Sequence, residues 1–127
     1  MRPGEAEAGF TLVELLVVLS IVALLLSLAV PRYFQSLTRA REAVLRENLA
    51  LIRDSLDKHY ADTGQYPGSL AQLVSRRYLR KLPEDPVTGS SETWLVVTHD
   101  ASRSGGVVDV KSGATGKSLS GEPYLEW

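Results

Sequence analysis

At 127 residues the chain has room for one small domain beside any membrane-length segment. Its 14 basic and 15 acidic side chains leave a net charge of −1, so no global field points to nucleic acid or to an anionic surface. Cysteine is absent, which in an exported protein excludes a disulfide framework and leaves packing, neighbours or a bound ion to hold the fold.

Met1 to Gly9 is polar and carries Arg2 against Glu5 and Glu7. Behind it, Phe10 to Val30 is an apolar run of 21 residues. As a helix this run would measure about 31 Å, the thickness of a bilayer's hydrocarbon core. One carboxylate, Glu14, interrupts it. A charge at membrane depth costs about 2.5–3.5 kcal/mol on insertion scales, so a cation is expected beside it. A cut between Gly9 and Phe10 would create one, because the new α-amino group would lie one helical turn before Glu14 at i,i+4 spacing. The amine could pair with Glu14 of its own chain or of a packed neighbour, and would then register identical subunits. The same cut removes one base and two acids, leaving 13 of each sign.

The sequence Gly9-Phe10-Thr11-Leu12-Val13-Glu14, followed by an apolar helix that carries Pro31, resembles the class III signal of type IV pilins and type II secretion pseudopilins. The resemblance implies cleavage between Gly9 and Phe10 by a membrane aspartic prepilin peptidase, N-methylation of Phe10, and subunit registration by Glu14 with Thr11. It implies a single-pass protein of the inner membrane, with its C-terminal body in the periplasm. The partners it implies are copies of the chain in a helical filament, other pilin-like minor subunits, the prepilin peptidase/methyltransferase, the inner-membrane assembly platform and membrane lipid. Two features of the N-terminus point elsewhere. Ser27-Leu28-Ala29 has the small-x-small form of a conventional signal-peptide site, which would release an exported monomeric binding protein starting at Val30. Arg32, Arg39, Arg41 and Arg46 follow the span while Arg2 alone precedes it, and charge by itself would put the C-terminal side in the cytoplasm.

Past Pro31 the helical pattern continues to about Asp62. Leu45, Leu49, Ile52, Leu56 and Tyr60 form an apolar stripe, with Leu37 and Val44 extending it upstream. The intervening charges read as a solvated face with i,i+4 pairs such as Glu42 with Arg46 and Asp54 with Lys58, or as bridges to adjacent subunits. Pro31 cannot donate to the carbonyl of Ser27, so a kink or a locally opened segment is expected there. In the family this region can unwind on assembly. No glycine lies between Phe10 and Val30, and Ala23 stands where family members often have one, so this chain lacks the residue that eases unwinding. Thr63-Gly64 ends the helix.

In the body, Gln65-Tyr66-Pro67-Gly68 reads as a turn, and Ser69 with Gln72 has capping-box spacing for a short helix to about Arg76. Arg76, Arg77, Arg80 and Lys81 read as a surface patch rather than a nucleic-acid face, since only Tyr78 interleaves and Glu84 and Asp85 follow closely. Pro83 and Pro86 frame a loop from Lys81 to Glu92. Trp94–Thr98 and Val107–Lys111 read as the strands of an antiparallel hairpin, linked through Asp100, Ser102, Ser104, Gly105 and Gly106.

The body also resembles the major pseudopilin of type II secretion. Its landmarks are Gly64-Gln65-Tyr66-Pro67, Asp85-Pro86-Val87-Thr88-Gly89 ahead of Trp94, and Asp109-Val110-Lys111-Ser112-Gly113-Ala114 before Trp127. Members of that family commonly bind calcium in the loop after the last strand. Here Thr115 stands where an aspartate is expected and Glu122 is the one later carboxylate of the loop, so calcium binding in this loop is set against and no cofactor is expected. His59 and His99 lack ligand spacing to a second His or Cys, and neither a nucleophile elbow nor a phosphate-binding glycine loop is present, which argues against an enzyme.

Together the elements predict an α+β fold. A long N-terminal helix, transmembrane in its first half and amphipathic in its second, packs on a small antiparallel hairpin body with one short helix. The divisions fall at residues 1–9, 10–30, 31–63 and 64–127. The function expected is a structural subunit of a type II secretion pseudopilus, with a type IV or competence pilus subunit as the near alternative.

Overall fold

The computed structural model describes residue 9 and residues 11–99 and 105–127. The leader up to Ala8, Phe10, and the link residues Asp100, Ser102 and Ser104 lie outside the described residues. The elements are helix α1 (Leu12–Thr63), helix α2 (Leu70–Ser75), strands β1 (Leu95–Thr98) and β2 (Val107–Lys111), and a closing 3-10 turn (Tyr124–Glu126). This is the α+β arrangement expected, with a two-stranded antiparallel sheet. The chain forms two compact units, one ending at Leu37 and one spanning Thr38–Trp127.

In the first unit α1 runs through Pro31 as a continuous helix. Proline removes the N–H that Ser27's carbonyl would accept, yet the chain on either side stays α-helical. Helix α1 ends at Thr63 because Gly64 takes a φ of +73°, which an L-residue resists, and its N–H caps the carbonyl of Tyr60 at 2.8 Å.

In the second unit the core gathers on one face of α1. Leu45, Leu49, Ile52 and Leu56 are fully buried, and Ser55 and His59 continue that face. Leu37, Val44 and Tyr60, expected on the same stripe, are exposed. At 3.6 residues per turn each residue advances about 100°, so Val44 and Leu37 lie roughly a quarter turn or more off the line through Leu45, Leu49 and Ile52. His59 takes the inward place expected of Tyr60. Its Nδ1 lies 2.6 Å from the Gln65 carbonyl and its ring packs edge-on against Tyr78. Leu70 and Leu73 of α2, with Leu79, Trp94, Val107 and Val110, complete the core.

Helix α2 starts after Ser69, yet the expected capping box does not form. The Ser69 side chain makes no cap bond, and Gln72 Oε1 accepts the N–H of Gly68 at 2.6 Å, one residue further back. Strand β1 begins one residue later than expected. Trp94 turns inward as a core residue instead, donating Nε1–H to the carbonyl of Pro83 at 2.8 Å. Strand β2 carries a bulge: Val97 pairs with Asp109 but Thr98 pairs with Val107, so Val108 is an extra residue. Strict alternation cannot bring Val107 and Val110 to one face; the extra residue does, and both are buried.

The loop framed by Pro83 and Pro86 is organised by Asp85, which is fully buried. Its Oδ1 accepts the N–H of Val87 at 2.8 Å, its main chain bridges to Ser90, and its Oδ2 accepts the hydroxyl of Ser112 beyond β2. Ser112 Oγ in turn accepts the N–H of Ala114 at 3.1 Å. Next to it, Gly113 approaches the Thr93 carbonyl so closely that a Cβ would collide with it. Asn48 on α1 donates to the carbonyl of Glu84 at 2.7 Å, tying the loop to the helix.

Asp85→Ala would leave the Val87 amide and the Ser112 hydroxyl without an acceptor. It should lower unfolding free energy by about 3 kcal/mol in chemical denaturation. Glu84→Ala, at an exposed neighbour, should stay within about 0.5 kcal/mol of wild type.

Candidate functional site

The expected site lies at the start of α1. Thr11 Oγ1 accepts the N–H of Glu14 at 3.2 Å, and Glu14 Oε2 accepts the N–H of Thr11 at 3.2 Å. This reciprocal capping box satisfies two amides that the first turn leaves open. The positive end of the helix dipole further favours a carboxylate there. From the sequence Glu14 is a charge in need of a cation; the signal for the box is the Thr-x-x-Glu spacing of Thr11 and Glu14. Among the described residues, Glu14 Oε1 accepts no hydrogen bond. Gly9, exposed and with a φ of +73°, lies just ahead of the helix. The cleavage and methylation expected at Phe10 fall outside the described residues.

Every leucine, isoleucine and valine from Leu12 to Val30 is 44–74% exposed. The segment is long and apolar enough to cross a membrane. Its two hydroxyls are satisfied within the helix, Ser20 donating to the Leu16 carbonyl and Ser27 to that of Leu24, each at 2.7 Å. Such internal pairing is what hydrocarbon demands of a polar group.

The charged face of α1 in the second unit is not simply solvated. The pair Asp54–Lys58 forms at 3.0 Å, as expected. Glu42, however, does not pair with Arg46. Its Oε1 accepts the N–H of Leu119 at 2.8 Å and the hydroxyl of Tyr124 at 3.0 Å. Arg46 lies over the ring of Trp127, 4.4 Å from the centroid. Arg53 donates to Asp109 Oδ1 at 2.8 Å and to the carbonyls of Val110 and Trp127 at 2.9 and 2.6 Å. These partners lie 56 to 82 residues away in sequence, so no local spacing could have named them.

Calcium takes six to eight oxygens, several of them charged. The loop from Ser112 to Tyr124 offers Glu122 as its one carboxylate and carries Lys117. The hydroxyls of Ser118 and Ser120 pair with each other at 2.8 Å. Nearby Asp85 and Glu42 are occupied by N–H and O–H donors. Among the described residues no three His, Asp or Glu side chains converge. The donor set does not fit the ion.

A long apolar helix opened by a Thr-Glu capping box, continued into a small α+β body, defines a pilin-like, single-pass membrane-anchored subunit. Residues 6–30 match the prokaryotic N-terminal methylation motif. The chain is 31% identical over 98 residues to type II secretion system core protein G of Klebsiella pneumoniae, spanning 65% of this chain and 70% of that protein. It is 31% identical over 96 residues to core protein G of Pseudomonas aeruginosa, covering 63% and 68%. Fimbrial protein EcpC of Eikenella corrodens matches at 25% over 120 residues, covering 91% and 73%. No solved structure matches. The chain belongs to the core protein G family, the major pseudopilins of type II secretion, whose members are structural subunits.

Burial, then the hydrogen bond to Glu42, raises the pKa of the Tyr124 phenol above its ordinary 10.0. The hydrogen bond to Asp62 raises that of Tyr78. A phenol with a raised folded-state pKa lends stability that is complete below pH 10 and lost as pH rises through the raised value. Alkaline titration of folding, followed by tryptophan fluorescence, should therefore show destabilisation beginning above about pH 10. Tyr124→Phe should flatten that decline.

Proposed function

We propose that this pseudopilin is made as a precursor, cut between Gly9 and Phe10 by a prepilin peptidase, N-methylated on Phe10, and held in the inner membrane by residues 10–30 with its body in the periplasm. From there it enters a helical filament whose core is the packed apolar helices, joined by other pilin-like subunits on an inner-membrane assembly platform. The filament supports protein export by type II secretion. The observation that carries this reading is an exposed apolar helix whose first turn presents a carboxylate with one oxygen engaged by Thr11 and, among the described residues, no hydrogen bond to the other.

In this reading Glu14 Oε1 takes the α-amine of Phe10, in the same chain or a neighbour, and Thr11 holds the carboxylate in place. An amine–carboxylate pair in hydrocarbon is strong when both groups are fully satisfied, and breaking it strands a charge. Pro31 marks the stretch of α1 where the ladder lacks one hydrogen bond and yields first under bending.

The match to a fimbrial protein over 91% of the chain favours a second reading, a type IV pilus subunit. Deletion separates the two: loss of secreted protein supports the pseudopilus, while loss of surface fibres with secretion intact supports the pilus.

Mass spectrometry of the native protein should find a methylated Phe10 at its N-terminus. A start at Val30 would instead mark a conventional signal peptide and end this proposal. Glu14→Ala should remain membrane-inserted yet enter filaments at least about tenfold less efficiently, the loss of one charge-assisted contact worth about 1.5–3 kcal/mol. Normal assembly of that variant would remove Glu14 from the mechanism.

A further inference from the structure

We propose that Glu42 is the latch of the C-terminal loop, holding residues 116–124 on α1 by direct hydrogen bonds, and that the body consequently folds without a divalent ion. The inference is independent of filament assembly, since every group in it belongs to the second unit of the chain.

The loop needs a tie. Between Ser112 and Tyr124 it forms no regular element, and its own closure is light. The Ser118 amide donates to the Glu122 carbonyl at 2.8 Å, Gly121 to Ser118 at 2.9 Å, and Tyr124 to Gly116 at 3.3 Å. Lys117 and Pro123 bridge once. These bonds close the loop on itself but do not hold it to the body. A loop of this kind can be held by a cation gathering carbonyls and carboxylates, or by a side chain of the body reaching into it. Here the first device lacks its donors and the second is present.

Glu42 Oε1 sits where two donors converge, the main-chain N–H of Leu119 at the loop's tip and the phenol of Tyr124 at its end. A carboxylate that accepts both an amide and a hydroxyl makes two charge-assisted bonds, about twice as strong as neutral ones. Tyr124 is buried and packs edge-on against Trp127, 5.2 Å between centroids. Trp127 is covered by Arg46, one turn beyond Glu42 on α1, and its carbonyl is held by Arg53. Three side chains of α1 thus clasp the segment from Leu119 to Trp127. Of the three, Glu42 is the one that hydrogen-bonds to the main chain of the loop part, at Leu119.

An anion in this position also opposes the alternative. Were calcium to take Glu42 as a ligand, the Leu119 amide and the Tyr124 hydroxyl would both lose their acceptor, and Tyr124 is buried where water cannot replace it. The ion would exchange a satisfied network for an incomplete shell.

The test uses the full chain in detergent micelles. Thermal unfolding, read by tryptophan fluorescence, is measured with a chelator and with millimolar calcium, and again for Glu42→Gln and Glu122→Gln. The expected wild-type midpoint is the same with chelator and with calcium. Glu42→Gln, which keeps size and an acceptor but loses the charge, should drop by about 4–8 °C. Its Leu119 amide should exchange hydrogen at least about tenfold faster than in wild type. Glu122→Gln should match wild type. A wild-type midpoint that falls with chelator and recovers with calcium would overturn ion independence, as would terbium emission sensitised by Trp127. A Glu42→Gln protein with unchanged midpoint and unchanged Leu119 exchange would overturn the latch. The chelation and terbium measurements need no variant, so they decide the ion question even where a substitution prevents folding.

Discussion

An apolar helix whose side chains stand exposed must find hydrocarbon or copies of itself, and among the described residues the segment Leu12–Val30 is in that position. The rest of the first unit follows from this constraint. Within the apolar segment Ser20 and Ser27 turn their hydroxyls back onto the helix, as lipid requires of a polar group, and its one carboxylate, Glu14, stands in the first turn, where unpaired amides and the dipole supply what lipid does not. An acid placed a few turns further along would have none of these supports. The position of Glu14 is therefore the least costly one in the span for a charge.

The body meets a different shortage. It is small, has no cysteine, and its sheet has two strands, so apolar burial must be supplemented. The supplement is polar and long-range. Asp85 joins its own loop to the turn after β2, Arg53 joins α1 to β2 and to Trp127, and Glu42 joins α1 to the loop between them. Each carboxylate or guanidinium in this set meets at least two donors or acceptors, which is the condition under which a partly buried charge stabilises rather than costs. The apparently solvated face of α1 is thus in part an inward-facing set of anchors.

The architecture was legible from the sequence because each element has a local signature. The apolar run, the Thr63-Gly64 stop, strand β2 and the antiparallel hairpin all rest on periodicity or turn chemistry within a dozen residues. What was misread lay at the edges of those signatures. Val44 and Leu37 were assigned to the core stripe by hydrophobicity, although their angular position on the helix excludes them. Ser69 was given a capping role that Gln72 performs differently. What could not be read at all were contacts between residues 50 or more positions apart, namely Glu42 with Tyr124 and Arg53 with Asp109. Of the candidate site, the residues Thr11 and Glu14 were visible, and their mutual geometry was not.

The serine hydroxyls of the apolar helix have a further bearing on how such helices meet. In lipid, hydroxyls often glue one helix to the next, and that glue fixes rotation and depth. Ser20 and Ser27 are already spent on their own backbones, so neighbouring helices in the proposed filament would face one another through smooth aliphatic surfaces. Such surfaces slip and turn past each other at little cost, and a fibre built on them would be supple along its length while its subunits remain pinned at a single polar point.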